Sequence, residues 1–166
     1  MSEDGKYSIN TDVKYGQLEV IDVPAIVAEC TEKWFNQTLT RVNDSVVRLG
    51  VVEGEFHWHK HDSDDEFFFV LEGRLFIDLQ ERTIELGPGQ GVTVPKSVMH
   101  RPRAPQKTVM LMVENCTIEP TGDLPETLDS RPQVPGKHQA PNPNSQTSTN
   151  VSMTQTRDLR VLVSWW

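Results

Sequence analysis

The sequence predicts an all-β domain, an antiparallel sandwich or barrel with one short helix in front of it. Three observations carry this. Between Gln37 and Asn115 the chain breaks into short runs rich in β-branched and aromatic residues. Those runs are separated at close, even spacing by glycine, proline and polar turns. Within them three histidines, His57, His59 and His61, recur at every second position. In a strand that spacing puts side chains on one face.

Taken in order, residues 1–16 read as a loose N-terminal arm. "VPAIVAECTEKWF", Val23 to Phe35, has Pro24 near its start and Ile26, Val27, Cys30 and Trp34 at helical spacing, which predicts a short helix. "LTRVNDSVVRLGVVEGEFHWHKH" turns at Asn43-Asp44 between two β-rich runs. Strands follow at Glu66–Glu72, Arg74–Leu79, Arg82–Leu86 and Gly91–Val94, and a last strong one at Lys107–Asn115. Beyond Pro120 the composition shifts to Pro, Asn, Ser, Thr and Gln with almost no large apolar residue. Residues 121–166 are therefore expected to be a low-complexity, disordered tail. Residues 17–120 make the domain.

Composition narrows the function. The 166-residue chain (18.8 kDa) carries a formal net charge of −8 and has no Lys/Arg cluster, which argues against nucleic acid as a partner. No apolar run approaches a membrane span. The polar, acidic start lacks a signal pattern, so a cytoplasmic location is expected. Cys30 and Cys116 read as two reduced, buried thiols.

The chemistry concentrates in "GEFHWHKHDSDDEF". Neutral imidazoles on one face of a strand can reach one ion from the same side. Glu66 is the nearest carboxylate that also opens an apolar strand, and His100 follows the apolar run "GVTV". His59, His61, Glu66 and His100 make a candidate N/O ligand set, suited to Fe, Mn, Ni, Zn or Cu rather than Ca or Mg. His57 shares the face as a candidate pocket residue contacting substrate or water. Asp62, Asp64 and Asp65 read as a solvated acidic loop. Arg101 or Arg103, just after His100, could hold a substrate carboxylate in a bidentate fork, with surface charge as the alternative.

These residues resemble the two motifs of a small single-domain cupin. His59-Lys60-His61, four residues, Glu66, six residues, Gly73 follows the first motif, with Gly54 one residue closer than usual. Gly89, five residues, Pro95-Lys96-Ser97, two residues, His100 follows the second, with Ser97 in place of the usual turn glycine and Ala104 in place of the usual Asn. The resemblance spans about residues 17–120. It is closest to the group often labelled mannose-6-phosphate-isomerase-like, through "DEFFFVLEGRL", "ELGPGQ" and "VPKSVMHRP". It implies a jelly-roll (double-stranded β-helix) barrel with one divalent transition metal, Fe, Mn, Ni or Zn, held by His59, His61, Glu66 and His100. It also implies a homodimer, as is common in the family. An open metal position acts as a Lewis acid on a bidentate oxygen substrate, or takes up dioxygen if the metal is redox-active. The expectation is a metal-dependent oxidoreductase of the dioxygenase sort on a small organic molecule, with His57 and Arg101 as catalytic helpers. An isomerase or lyase working by enolisation, or a non-catalytic binding cupin, are the alternatives.

Overall fold

The computed structural model describes residues 6–123. Its elements are β1 (Ser8–Asn10), α1 (Val23–Glu29), β2 (Trp34–Val42), β3 (Ser45–Glu55), β4 (Glu66–Glu72), β5 (Leu75–Leu79), β6 (Thr83–Leu86), β7 (Gly91–Val94) and β8 (His100–Asn115). Strands run β1-β2-β3-β8-β4-β7 across one sheet, and β5 pairs with both β6 and β8. The strand β8 makes the barrel close. Its first residues, His100–Arg103, pair with β5, and its later ones, Val109–Val113, pair with β4. Its other edge runs along β3.

Most boundaries agree with the sequence reading, and the differences have physical causes. The last strand starts at His100, well before Lys107. Pro102 and Pro105 argue against a strand there, but the β3–β8 ladder shifts register between Val52 and Gly54. That irregularity takes up Pro105, and Pro102 uses its carbonyl to accept from Phe56 N at 3.0 Å. The helix stops at Glu29 rather than running to Phe35. Its start is as expected: Asp22 caps it, accepting from Ala25 N at 3.0 Å, with Pro24 in the first turn. Trp34 instead opens β2, because its burial inside the barrel outweighs the helical spacing. The arm is also less loose than expected, since Ser8–Asn10 pairs in parallel with β2.

The sheet is clad on both faces. Inside the barrel Trp34, Val52, Phe56, Phe68, Val70, Leu75, Ile77, Met110 and Met112 form one buried cluster. Outside, Ile26 of α1 packs on Leu39, Leu49, Val51 and Val109. Burial on both faces accounts for near-continuous apolar runs such as "VVRLGVV". Cys30 and Cys116 are free thiols, half-buried rather than buried. The tail expected beyond residue 120 falls mostly on residues 124–166, outside the described residues. No helix among the described residues is long and apolar enough to cross a membrane.

Candidate metal centre

Past Glu55 the chain leaves regular pairing but stays tied to β8. His59 and His100 exchange backbone hydrogen bonds, His59 N to His100 O at 3.0 Å and the reverse at 2.9 Å. This bridge sets the two imidazoles 4.2 Å apart, centroid to centroid. Two residues on, the His61 carbonyl accepts from Ser97 N at 2.6 Å, which fastens the histidine loop to the turn before β8. In that turn Val98 N donates to Pro95 O, and Ser97 adopts φ +65°. Ser97 therefore sits in the left-handed conformation that glycine takes in the motif, side chain and all. Glu66, first residue of β4, points inward with Phe68 and Val70, as the strand period requires.

The four expected ligands converge. Nε2 of His100, His61 and His59 lie 3.2, 3.4 and 3.9 Å from one oxygen of Glu66, Oε2. One donor atom from each of the four residues falls within 4.8 Å of all the others, and all four side chains are buried. Two backbone carbonyls fix the rings. His59 Nδ1 donates to the His57 carbonyl at 3.2 Å and His100 Nδ1 to the Val98 carbonyl at 3.0 Å. With Nδ1 protonated, the Nε2 lone pairs face the cluster. Neither ring nitrogen of His61 has a hydrogen-bond partner among the described residues.

Burial lowers the pKa of His59 to about 4, helped by the neighbouring His100 and His61, so this imidazole is neutral across the physiological range. Burial alone would raise Glu66, yet the surrounding imidazoles, first His100 in hydrogen-bond contact at 3.2 Å and then His59 and His61, together outweigh it and hold the carboxyl well below its ordinary value. Burial also pulls His61 down, but Glu66 overcomes it and the net shift is upward.

The donor set fits a divalent transition metal. Metal–N and metal–O bonds near 2.1 Å place donors at right angles about 3 Å apart and opposite ones about 4 Å apart. The separations of 3.2–3.9 Å fall in that interval. A bound ion would also give His61 Nε2 the partner it lacks. Four protein ligands leave one or two coordination positions free.

A cavity of about 20 Å³ adjoins the cluster. His59 and Glu66 line it together with Trp34, Asn36, Phe56, Phe68, Met112 and Pro120. Space of this size holds about one water. The cover is the segment after β8, which sequence composition placed largely in the tail. Thr121 O accepts from His57 Nε2 at 2.7 Å, Asp123 N donates to Lys60 O at 3.0 Å, and Asp123 Oδ2 accepts from Asp62 N at 2.5 Å. Gly122, at φ +89°, lies so close to His59 that a Cβ would sit 2.6 Å from the His59 Cβ.

The helper residues are placed differently from the ligands. His57 stacks on Phe56, with its ring 5.4 Å from that of His59, and bonds the cover; it is not among the cavity-lining residues. Arg101 faces the opposite side of β8 from His100. It bonds Glu55 and Asp78, each at 2.8 Å, and lies over the Trp58 ring. Arg103 shares Asp78 with it. Neither guanidinium reaches the cavity. In the acidic loop Asp65 is anchored by Lys96 N at 2.9 Å, and Asp62 by Lys60 and Asp123. Sequence reasoning missed three inward polar residues, Asn36, Arg48 and Glu114. The signal was present for two of them: a charge on the buried parity of "VVRLGVV" and of "MLMVEN".

Comparison with known proteins agrees with this geometry. The cupin domain model matches residues 45–114, a span that holds all four ligands. The uncharacterized protein YdbB of Bacillus subtilis is 44% identical over 92 residues, covering 55% of this chain and 81% of YdbB. A cupin-2 domain containing protein from Shewanella frigidimarina is 33% identical and superposes with a TM-score of 0.56, covering 58% of this chain and 94% of its own. NMB1881 from Neisseria meningitidis is 28% identical with a TM-score of 0.54, covering 58% of this chain and 99% of its own. By sequence, fold and ligand set together, the chain belongs to the cupin family.

Proposed function

We propose that this cupin is a metal-dependent oxidoreductase of the dioxygenase sort, holding one Fe, Mn, Ni or Zn ion on His59, His61, Glu66 and His100 and acting on a small organic molecule. The observation that carries it is the convergence of three Nε2 atoms on Glu66 Oε2 in a buried cluster whose His61 nitrogens have no other partner among the described residues. When bound, the metal supplies a Lewis acid and, if redox-active, electrons. The chain's own residues fix the donor tautomers through the His57 and Val98 carbonyls and give the cavity apolar walls in Phe56, Phe68, Met112 and Pro120. Electron chemistry is favoured over enolisation because an isomerase or lyase needs a base that is not itself a ligand. Among the described residues lining the cavity, the titratable groups are His59 and Glu66, both ligands. Kinship to the mannose-6-phosphate-isomerase-like group and a homodimer formed through sheet edges belong to the same proposal, and neither names the substrate.

The test is elemental analysis of the purified protein, followed by oxygen uptake with catechols, thiols and diketones. Stoichiometric metal with substrate-dependent uptake supports the reading. Failure to bind any transition metal after reconstitution sinks it, and metal binding without uptake on any substrate removes the oxidoreductase part. A second reading, a non-catalytic binding cupin, is favoured by the small cavity. It predicts that His59→Ala and His100→Ala change metal content and leave the biological role intact.

A further inference from the structure

Asn36 lies on the inner face of β2, directly across from Gly50 on β3, which itself pairs with Met110 on β8. The place of a side chain at Gly50 is taken by the Met110 side chain, whose Cε would lie 2.8 Å from a Cβ there. The Asn36 side chain borders the same cavity as His59 and Glu66. The other walls include Val52, Phe68, Met110 and Met112, all apolar. Only 9% of Asn36 is exposed, and its Oδ1 has no hydrogen-bond partner among the described residues.

A buried amide oxygen without a partner is costly to keep. A hydrocarbon of the same shape would fill this position at no such cost, as Val52 and Met110 do nearby. We infer that Asn36 is a ligand-contacting specificity residue, whose Oδ1 accepts a hydrogen bond from a hydroxyl or amine of a ligand seated between it and the metal cluster. The cavity holds about one water, so the recognised unit is a single hydroxyl or amine group, carried by a very small molecule or by the end of a larger one that displaces Pro120. Discrimination follows from chemistry: a ligand lacking the donor leaves the amide oxygen buried and unpaired. This inference rests on the metal-centre reading, since the ligand's other end sits at a free coordination position.

The test uses full-length protein loaded with Co(II), whose absorption reports ligands entering the metal sphere. Two small probes are titrated, hydroxylamine, which carries donors, and azide, which carries none. The variants are Asn36→Leu, close in shape, and Asn36→Ala, which fits without crowding if leucine does not fold. In both, hydroxylamine is expected to bind at least about tenfold more weakly, azide to change less than twofold, and cobalt content to stay the same. Asn36→Leu is also expected to raise Tm by about 4 °C, because an unpaired amide is removed. Hydroxylamine binding unchanged, absent from the wild type, or weakened in step with azide overturns the role of Asn36 while leaving the metal centre standing. A wild-type protein that takes up no cobalt overturns both.

Discussion

Arg48 and Glu114 form an ion pair with both side chains buried inside the barrel, and Glu114 follows Val113, whose strand partner Phe67 adjoins the ligand Glu66. Two carboxylates near each other on adjacent strands repel. Each has its own compensation, the histidines and a metal for Glu66 and the Arg48 guanidinium for Glu114. Removing one partner of a buried pair strands the other charge, at about 3–5 kcal/mol. Arg48→Met is expected to lose about that much in urea unfolding, and the double variant Arg48→Met/Glu114→Leu to recover most of it. Equal losses in single and double variants would show that the pair packs without electrostatic coupling.

The same pair gives the metal-free protein a pH dependence. Burial, and then the charge of Glu66, raise Glu114 from 4.5 to about 7 against the pull of Arg48. A carboxyl raised on folding binds more protons in the folded state. Its stabilising contribution is complete below about pH 4.5 and is lost as pH rises through about 7. In Glu114→Gln this component of the stability–pH curve should vanish, as measured by Tm of the metal-free protein from pH 5 to 8.

Metal affinity should fall on acidification with an onset set by His61. His59, lowered to about 4, is already deprotonated, whereas His61 is raised above its ordinary 6.5 by Glu66 and must surrender its proton to the ion. Equilibrium dialysis is expected to show affinity dropping on acidification, with an onset higher in pH than an ordinary imidazole would give. Full affinity persisting to pH 5 would rule out proton competition at His61.

His57→Val is expected to leave metal content intact and to loosen the cover, because His57 contributes its Nε2 hydrogen bond to Thr121 and no donor atom to the cluster. Faster amide exchange at Gly122 and Asp123 is the readout. Loss of metal in this variant would mean that the ligand set includes His57.

Ser97→Gly tests the one departure from the motif that falls on strained backbone. A left-handed non-glycine residue costs roughly 1–2 kcal/mol, against about 0.5–1 kcal/mol for the extra freedom of an unfolded glycine. The variant should be more stable by up to about 1 kcal/mol and bind metal unchanged. A destabilised variant would show that the Ser97 hydroxyl, 3.4 Å from the Asp62 carbonyl, matters more than the strain.

The ligand set was legible because its residues match the two cupin motifs, each at a fixed offset from a turn or a strand start; alternation alone would have left His57 beside His59 and His61. Glu66, Phe68 and Val70 share a face by the period of two, and the Asn43-Asp44 hairpin announced itself in two residues. Long-range effects were not legible. Trp34 fits a helical spacing, and only the barrel interior explains why it leaves the helix. Arg101 follows a ligand in sequence yet is turned away by strand alternation and taken by Asp78 and Glu55. The Pro120–Asp123 cover lacks large apolar residues and reads as tail; it is held by three hydrogen bonds to residues about sixty positions earlier.

The pairing of β8 with β3, β4 and β5 at once bears on how the protein is made. Among the described residues the strand synthesised last is the one that joins the others. While residues 100–115 are still inside the ribosome, β3 and β4 each lack a neighbour and three of the four ligands have no fourth. Closure of the barrel and assembly of the site are thus a single late event during translation, and β3 and β4 present unpaired edges to the cell until it occurs.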